Sequence, residues 1–339
     1  MSGMLDAAAP SHGEAIPPGE AAAAASITAS IVQQVRRDAL ADGAAHRDAH
    51  PKMHGCLVAN FAVLDGLPEA YRAGIFAAPG NYRALIRFSN GNAKPQPDSK
   101  GDGRGMAVKL LGVADSVSGT QDFIAINHEV FFVRNAADYV DFQRKGFGRF
   151  IFAGLIPPRI RVREALAGLA IVFKRPGNPL NLRYWSMTPY RIGDYACKFS
   201  FVPLAPLSAF TDRIDPDFMR LNMARHLEQS GAAFELRVQL RGDPARMPVE
   251  DPTIAWRQVD APFVAVARLT IPRQDFDTAG RRAFGENLSF TPWHALPEHR
   301  PLGGINRVRR SIYETISQLR HSLNAAPRAE PEHLPPLEE

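Results

Sequence analysis

Seven short runs of strand character, bracketed by helical patterns at both ends, most constrain how this chain can fold. The runs are Leu57–Val63, Tyr82–Phe88, Met106–Leu111, Asp122–Asn127, Ala196–Val202, Ala233–Gln239 and Ala261–Ile271. β-branched and aromatic residues are common in the last two. Ile27, Ile31 and Val35 recur at helical spacing ahead of the first run, and Ile305 to about Asn324 forms a final helix. A further helical stretch from Asp138 is broken at Pro157-Pro158. Strands grouped between helices indicate an α+β chain. Periodicity permits an antiparallel barrel without requiring one.

A chain of 339 residues with 45% apolar content can bury a sizeable single core, over residues 26–325. Met1 to about Ala25 is rich in Ala, Pro, Gly and Ser, and is expected to be mobile. The same holds for the Pro- and Glu-rich tail, residues 326–339. The first segment lacks a basic stretch followed by an apolar core, so it does not read as a secretory signal. No run of about twenty apolar residues is long enough to span a bilayer. The two cysteines, Cys56 and Cys197, suggest neither a disulfide framework nor a Cys-x-x-Cys metal site, and read as buried thiols. Together these features favour the cytoplasm. A net charge of +5 with no aromatic-interleaved basic stripe argues against nucleic acid as a partner.

Chemistry concentrates first at Arg309-Arg310-Ser311-Ile312-Tyr313. The Arg309–Tyr313 spacing puts both side chains on one helix face, one turn apart. A guanidinium beside a phenol hydroxyl favours the phenolate, which is an axial ligand type for ferric heme. Arg-x-x-x-Tyr alone carries little weight, because surface helices contain it by chance. Its company is Lys52-Met53-His54-Gly55, Arg87-Phe88-Ser89-Asn90-Gly91, the run Asp102 to Lys109 (DGRGMAVK), and Asn127-His128-Glu129-Val130-Phe131-Phe132-Val133-Arg134. Gly101, Gly103 and Gly105 alternate, but no strand-then-helix context supports a nucleotide loop.

In this order the motifs resemble those of the catalase superfamily, over roughly residues 50 to 320, with Leu288-Ser289-Phe290-Thr291-Pro292 matching a late segment before the tyrosine. The resemblance implies a catalase-like antiparallel β-barrel flanked by helices, with heme b buried between barrel and C-terminal helix. It implies His54 as the distal histidine that moves the peroxide proton, a role suited to neutral imidazole. It makes Arg87 a partner of a heme propionate, Ser89 an organiser of the distal pocket and Gly105 a place where backbone approaches the heme. Phe131 or Phe132 would form a pocket wall, and Tyr313, kept anionic by Arg309, would ligate the iron. Arg307 and Arg310 fall on other helix faces and are expected to be solvated.

The departures concern the distal side. The family's distal asparagine aligns with Ile126, so Asn127 is the candidate replacement; Glu129 stands where a proline is usual, and Met53 precedes His54. Too few residues follow the tyrosine helix for the C-terminal domain of large catalases. A smaller branch of the family is therefore implied, acting on hydrogen peroxide or an organic hydroperoxide as catalase or peroxidase. Alternatives are a fatty acid hydroperoxide isomerase or dehydratase of the allene oxide synthase kind, a non-catalytic heme carrier, and a heme-free binding barrel. Residues 147–174 mix apolar side chains with Arg159, Arg161 and Arg163, compatible with a channel entrance, a lipid hydroperoxide or peripheral contact with an anionic membrane. A homo-oligomer is compatible with this reading.

Overall fold

The computed structural model describes residues 12–155, 158–205, 213–326, 328, 330 and 331. Its elements are helix α1 (Glu20–Asp42), strands β1 (Met53–Val63), β2 (Asn81–Asn90), β3 (Arg104–Leu111) and β4 (Thr120–Ile126), then α2 (Ala136–Ile151). The hairpin β5 (Phe152–Leu155) and β6 (Pro158–Ile160) leads to α3 (Val162–Phe173). Then come β7 (Tyr184–Trp185), β8 (Tyr190–Ile192), β9 (Tyr195–Pro203), α4 (Phe218–Leu227), β10 (Ala232–Leu240), β11 (Phe263–Ile271), α5 (Ala279–Asn287) and α6 (Gly304–Leu323).

Strand order β10-β11-β1-β2-β3-β4-β7-β9 closes on itself through β9–β10 pairing, with β8 attached to β9. Every pairing is antiparallel, giving an eight-stranded barrel among the described residues. Each of the seven expected strands lies here, within two residues at either end apart from the start of β1, which comes four residues earlier.

Alternation along β1 shows how the sequence fills the ring. Leu57, Ala59 and Phe61 join the interior cluster, while Cys56 and Val58 pack outward with Leu288 and Phe284. Inside, Phe61 stacks on Phe123 at 6.1 Å, and Phe123 meets Phe199 edge-on at 5.2 Å. Side chains therefore fill the barrel, so a large planar cofactor has to sit outside it. On the outer side α5 approaches β1 closely; a Cβ on Gly285 would lie 2.5 Å from the Cβ of Cys56. Both cysteines are buried free thiols, and burial pushes Cys56 up to about 11.

The helical layer is built by α1 against α6. Ile27, Ile31 and Val35 meet Val308, Ile312 and Ile316, with Ala136 and Tyr139 of α2 against the same cluster. Two stripes of fourfold spacing facing each other explain this contact.

The expectation of mobility over Met1–Ala25 overlaps this layer. α1 already begins at Glu20, because alanines favour helix strongly even without large apolar neighbours. Glu20 is buried and pairs with Arg307 at 2.6 Å, and Glu14 pairs with Arg307 at 2.7 Å and Arg300 at 2.8 Å. Arg307 is thus an anchor for the N-terminal segment rather than a solvated side chain, and Arg310 lies over the Trp293 ring at 4.7 Å. Residues 1–11 and 332–339 lie outside the described residues. The helix from Ala136 ends at Ile151, before the expected break, and is kinked at Gly146 with φ 70°.

Phe61 is fully buried and Val117 fully exposed. Phe61→Ala is expected to destabilise the fold by about 3–5 kcal/mol, and Val117→Ala to stay within about 0.5 kcal/mol. Urea denaturation monitored by circular dichroism measures both; equal midpoints would contradict the filled barrel.

Candidate functional site

Antiparallel register lays four residues side by side across one barrel edge. Met53 pairs with Ser89, Ser89 with Gly105, and Gly105 with Ile126. The loop before β1 folds over this row and carries His50, in the left-handed region at φ 61°. His50 Nδ1 lies 3.0 Å from Ser89 Oγ. A Cβ on Gly105 would come within 2.6 Å of His50 Nδ1, so the absence of a side chain at 105 is what admits the imidazole. Arg87 donates to the carbonyls of His50 (2.9 Å) and Pro51 (3.3 Å), clamping the loop from below. Burial, then the charges of Arg87, Arg309 and Arg47, push His50 down to about 3, so it is neutral at physiological pH.

The structure separates the two histidines. His54 lies inside β1, and its side chain runs into a closed polar cluster. Its Nε2 is 2.7 Å from Asn90 Oδ1, and its Nδ1 is 3.9 Å from Asp98 Oδ1. Asp98 is itself held by Lys52 (2.8 Å), Asn90 Nδ2 (3.1 Å) and the Met219 amide (2.9 Å). Ser89 and Gly105 therefore meet His50, not His54. A residue within a paired strand cannot fold over the rim, whereas one in the preceding loop can; that geometry is the signal that separates them.

Asn127 is tied to β3 through its oxygen, while its buried Nδ2 has no hydrogen-bond partner. Its Oδ1 accepts from the Arg104 amide at 2.8 Å and its own amide donates to the Arg104 carbonyl at 2.9 Å, which staples β3 to the end of β4. Lys174 Nζ donates to the Asn127 carbonyl. The residue beside Gly105 is Ile126, which joins Phe131, Phe132, Phe142 and Phe150 in an apolar cluster. Phe132 lies 4.6 Å from Phe131 and 4.8 Å from Phe142, ring centre to ring centre.

On α6, Arg309 NH2 donates to the Tyr313 hydroxyl at 3.1 Å. Its NH1 reaches Asn306 Oδ1 at 3.0 Å and Thr188 Oγ1 at 3.4 Å. Burial opposes the charge of Arg309, but the hydroxyls of Tyr313 and Tyr190 outweigh it and raise its pKa. Burial raises the neighbouring Tyr139 well above the usual phenol range.

Beside His50 lies a cationic field that sequence reasoning found only through Arg87. Arg47, Arg87 and Arg320 converge on Glu286, at 2.8, 3.7 and 3.7 Å. Three guanidiniums thus face one carboxylate, and the buried Arg87 Nε has no hydrogen-bond partner. Burial and then the Arg47 charge push Arg87 down to about 9 and Arg320 to about 10. The field is short of anionic charge. Arg320 lies seven residues after Tyr313, two turns along one helix face, and that spacing was its sequence signal.

A family model described as Catalase matches residues 38–146. A catalase-related peroxidase from Mycolicibacterium paratuberculosis (strain ATCC BAA-968 / K-10) is 28% identical over 263 residues, 73% of this chain and 81% of that protein. A fungal catalase structure superposes with a TM-score of 0.65 at 18% identity, covering 84% of this chain and 62% of that one. Catalase A from Saccharomyces cerevisiae gives 0.65 at 17% identity, covering 85% and 66%. The chain therefore spans less than two thirds of the length of these solved catalases.

The neutral state of the half-buried His50 has a signed consequence. Its folded pKa lies below 6.5, so between pH 6.5 and 3 the unfolded chain binds the extra proton and stability falls as pH falls. Asp48, pushed up to about 6 by burial, works in the opposite direction below pH 6, so the informative quantity is a difference. His50→Gln is expected to remove a slope of about 1.4 kcal/mol per pH unit over this window. Urea unfolding of both proteins at pH 7 and pH 5 measures it; parallel pH profiles would show that the fold does not hold His50 neutral.

Proposed function

This chain belongs to the catalase superfamily, and on that premise we propose that it is a heme-dependent oxidoreductase cleaving the O–O bond of a hydroperoxide. The observation that carries the proposal is the meeting of a neutral histidine, lodged on Gly105 and Ser89, with the field of the Arg309–Tyr313 pair. The residues present fit heme b. Tyr313 supplies an oxygen ligand for the iron, with Arg309 stabilising its phenolate form. Arg47, Arg87 and Arg320 supply the positive charge that two propionates neutralise, and the unpartnered Arg87 Nε is an open donor for them. Gly105, Ile126, Phe131 and Phe132 supply small and apolar surface against a flat ring. When bound, the heme iron supplies the redox chemistry that splits the peroxide.

His50 performs the proton work. With Nδ1–H donating to Ser89 Oγ, the lone pair sits on Nε2. Nε2 takes the proton from one peroxide oxygen and returns it to the departing one, which leaves as water or an alcohol. Ser89 and the Arg87 contacts to the loop carbonyls hold the imidazole in place through both transfers. His54 acts at a distance, by tying β1 to the Asp98 loop.

Ile126 decides the substrate preference. The residue paired with Gly105 is Ile126, which carries no amide donor to steer hydrogen peroxide, and its cluster is apolar. This favours an organic hydroperoxide, with peroxidase turnover over efficient hydrogen peroxide disproportionation.

His50→Ala in heme-loaded protein is expected to lower kcat for cumene hydroperoxide by roughly 10²–10⁴-fold. His54→Ala is expected to keep kcat within about threefold while lowering the thermal midpoint, because it removes the partner of the buried Asn90 Oδ1. Stopped-flow kinetics with calorimetry separates the two variants. Loss of turnover in His54→Ala with His50→Ala active would reverse the assignment.

A further inference from the structure

α3 packs onto the body through Glu164, Ala167 and Gly168, which are buried. Glu164 pairs with Arg134 at 3.1 Å, and the ring of Phe147 fills the space beside Gly168. The opposite face is different in kind. Val162, Leu166, Leu169 and Phe173 follow at steps of four, three and four residues, so they form one stripe along the helix. They are 59%, 61%, 46% and 71% exposed. Four large apolar side chains in a row, all open to water, are not scattered surface residues.

Charge identifies what covers the stripe. From Phe142 to Arg175 the chain carries eight basic residues (Arg144, Lys145, Arg149, Arg159, Arg161, Arg163, Lys174, Arg175) and one acidic residue, Glu164, which is buried; Lys145, Arg161 and Arg163 pair with Asp141, Asp138 and Asp251 outside this stretch. Arg144, Arg149, Arg163 and Arg175 are exposed, and Arg163 borders the stripe on α3 itself. Pairing this face with a second copy would bring two cationic rims together. The stripe is the convex outer side of a helix, which suits a fluid surface more than a shaped partner. Apolar residues on one helix face with a basic border is the composition that seats a helix in the plane of an anionic bilayer.

We propose that the outer face of α3 docks this protein on anionic lipid membranes as a peripheral, non-spanning contact. No described helix is long and apolar enough to cross a membrane, and none is needed. The proposal does not depend on the peroxide chemistry, and its readout is lipid binding.

The test is co-sedimentation of the full-length chain, expressed with a heme precursor, with vesicles of phosphatidylcholine alone or with about one third phosphatidylglycerol. Binding to the anionic vesicles is expected to be tighter by at least about tenfold and to weaken with added salt. The double variant Leu166→Glu/Phe173→Glu is expected to abolish it, with circular dichroism and thermal midpoint unchanged because both positions are exposed. Arg149→Ala/Arg163→Ala, which leaves the stripe intact, is expected to weaken binding to anionic vesicles alone. Failure to bind either vesicle, or binding unaffected by both double variants, would overturn the proposal. So would a lipid-free dimer that Leu166→Glu/Phe173→Glu dissociates, since that would assign the stripe to a second copy.

Discussion

The site depends on how α6 is fastened to the barrel, and one buried asparagine does most of the fastening. Asn306 donates to the carbonyls of Pro189 and Leu302, both at 2.9 Å, and its Oδ1 receives Arg309 and Thr188, both at 3.0 Å. Its own carbonyl accepts from the Trp293 indole at 2.9 Å. The helix is thereby locked in rotation and depth against the loop before β8. The second guanidinium nitrogen of Arg309 then reaches the hydroxyl of Tyr313. A buried guanidinium is stable only with such partners, because desolvation otherwise outweighs its attractions. Removing any of them leaves a stranded cation, so the same contacts that aim the tyrosine also hold the helix.

The barrel contributes the opposite half by register. Because side chains alternate, a slip of one residue in β2 or β3 would send Ser89 and Gly105 to the wrong face. The filled aromatic interior prevents that slip by fixing which residues point inward. The edge row Met53, Ser89, Gly105 and Ile126 is therefore a by-product of core packing, and His50 is placed by resting on it. Arg47 and Arg320 complete the arrangement by donating to the carbonyls that end α5, Arg47 to Glu286 and Leu288 and Arg320 to the same two. Those carbonyls carry the negative end of the helix dipole. The cations are thus held even though a single carboxylate faces three of them.

Much of this was legible from residues alone. The seven strands carried alternating or densely apolar patterns, and the opening and closing helices carried a clean fourfold stripe. α5 was not legible, since its glycines, arginines and asparagine give no apolar face. The start of α1 was hidden because alanine favours helix without marking a buried side. In the site, Arg309 meets the Tyr313 hydroxyl as their spacing suggested, and Ser89 and Gly105 pair across neighbouring strands. The distal pair did not follow. Two histidines four residues apart are equivalent in composition, and only the boundary of β1 distinguishes a strand residue from a loop residue. Asn127 is of donor type, but its backbone continues the β3–β4 ladder and its side-chain oxygen is spent on the Arg104 amide. Arg47 and Arg320 become visible as a pair with Arg87 once α5 brings their segments together.

The most direct measurement is the absorption spectrum of the chain expressed with a heme precursor, beside Tyr313→Phe. The account predicts a ferric high-spin Soret band with a tyrosinate charge-transfer feature, and loss of that feature in Tyr313→Phe. Heme bound with the same spectrum in both proteins, or no heme bound by the parent chain, would contradict it.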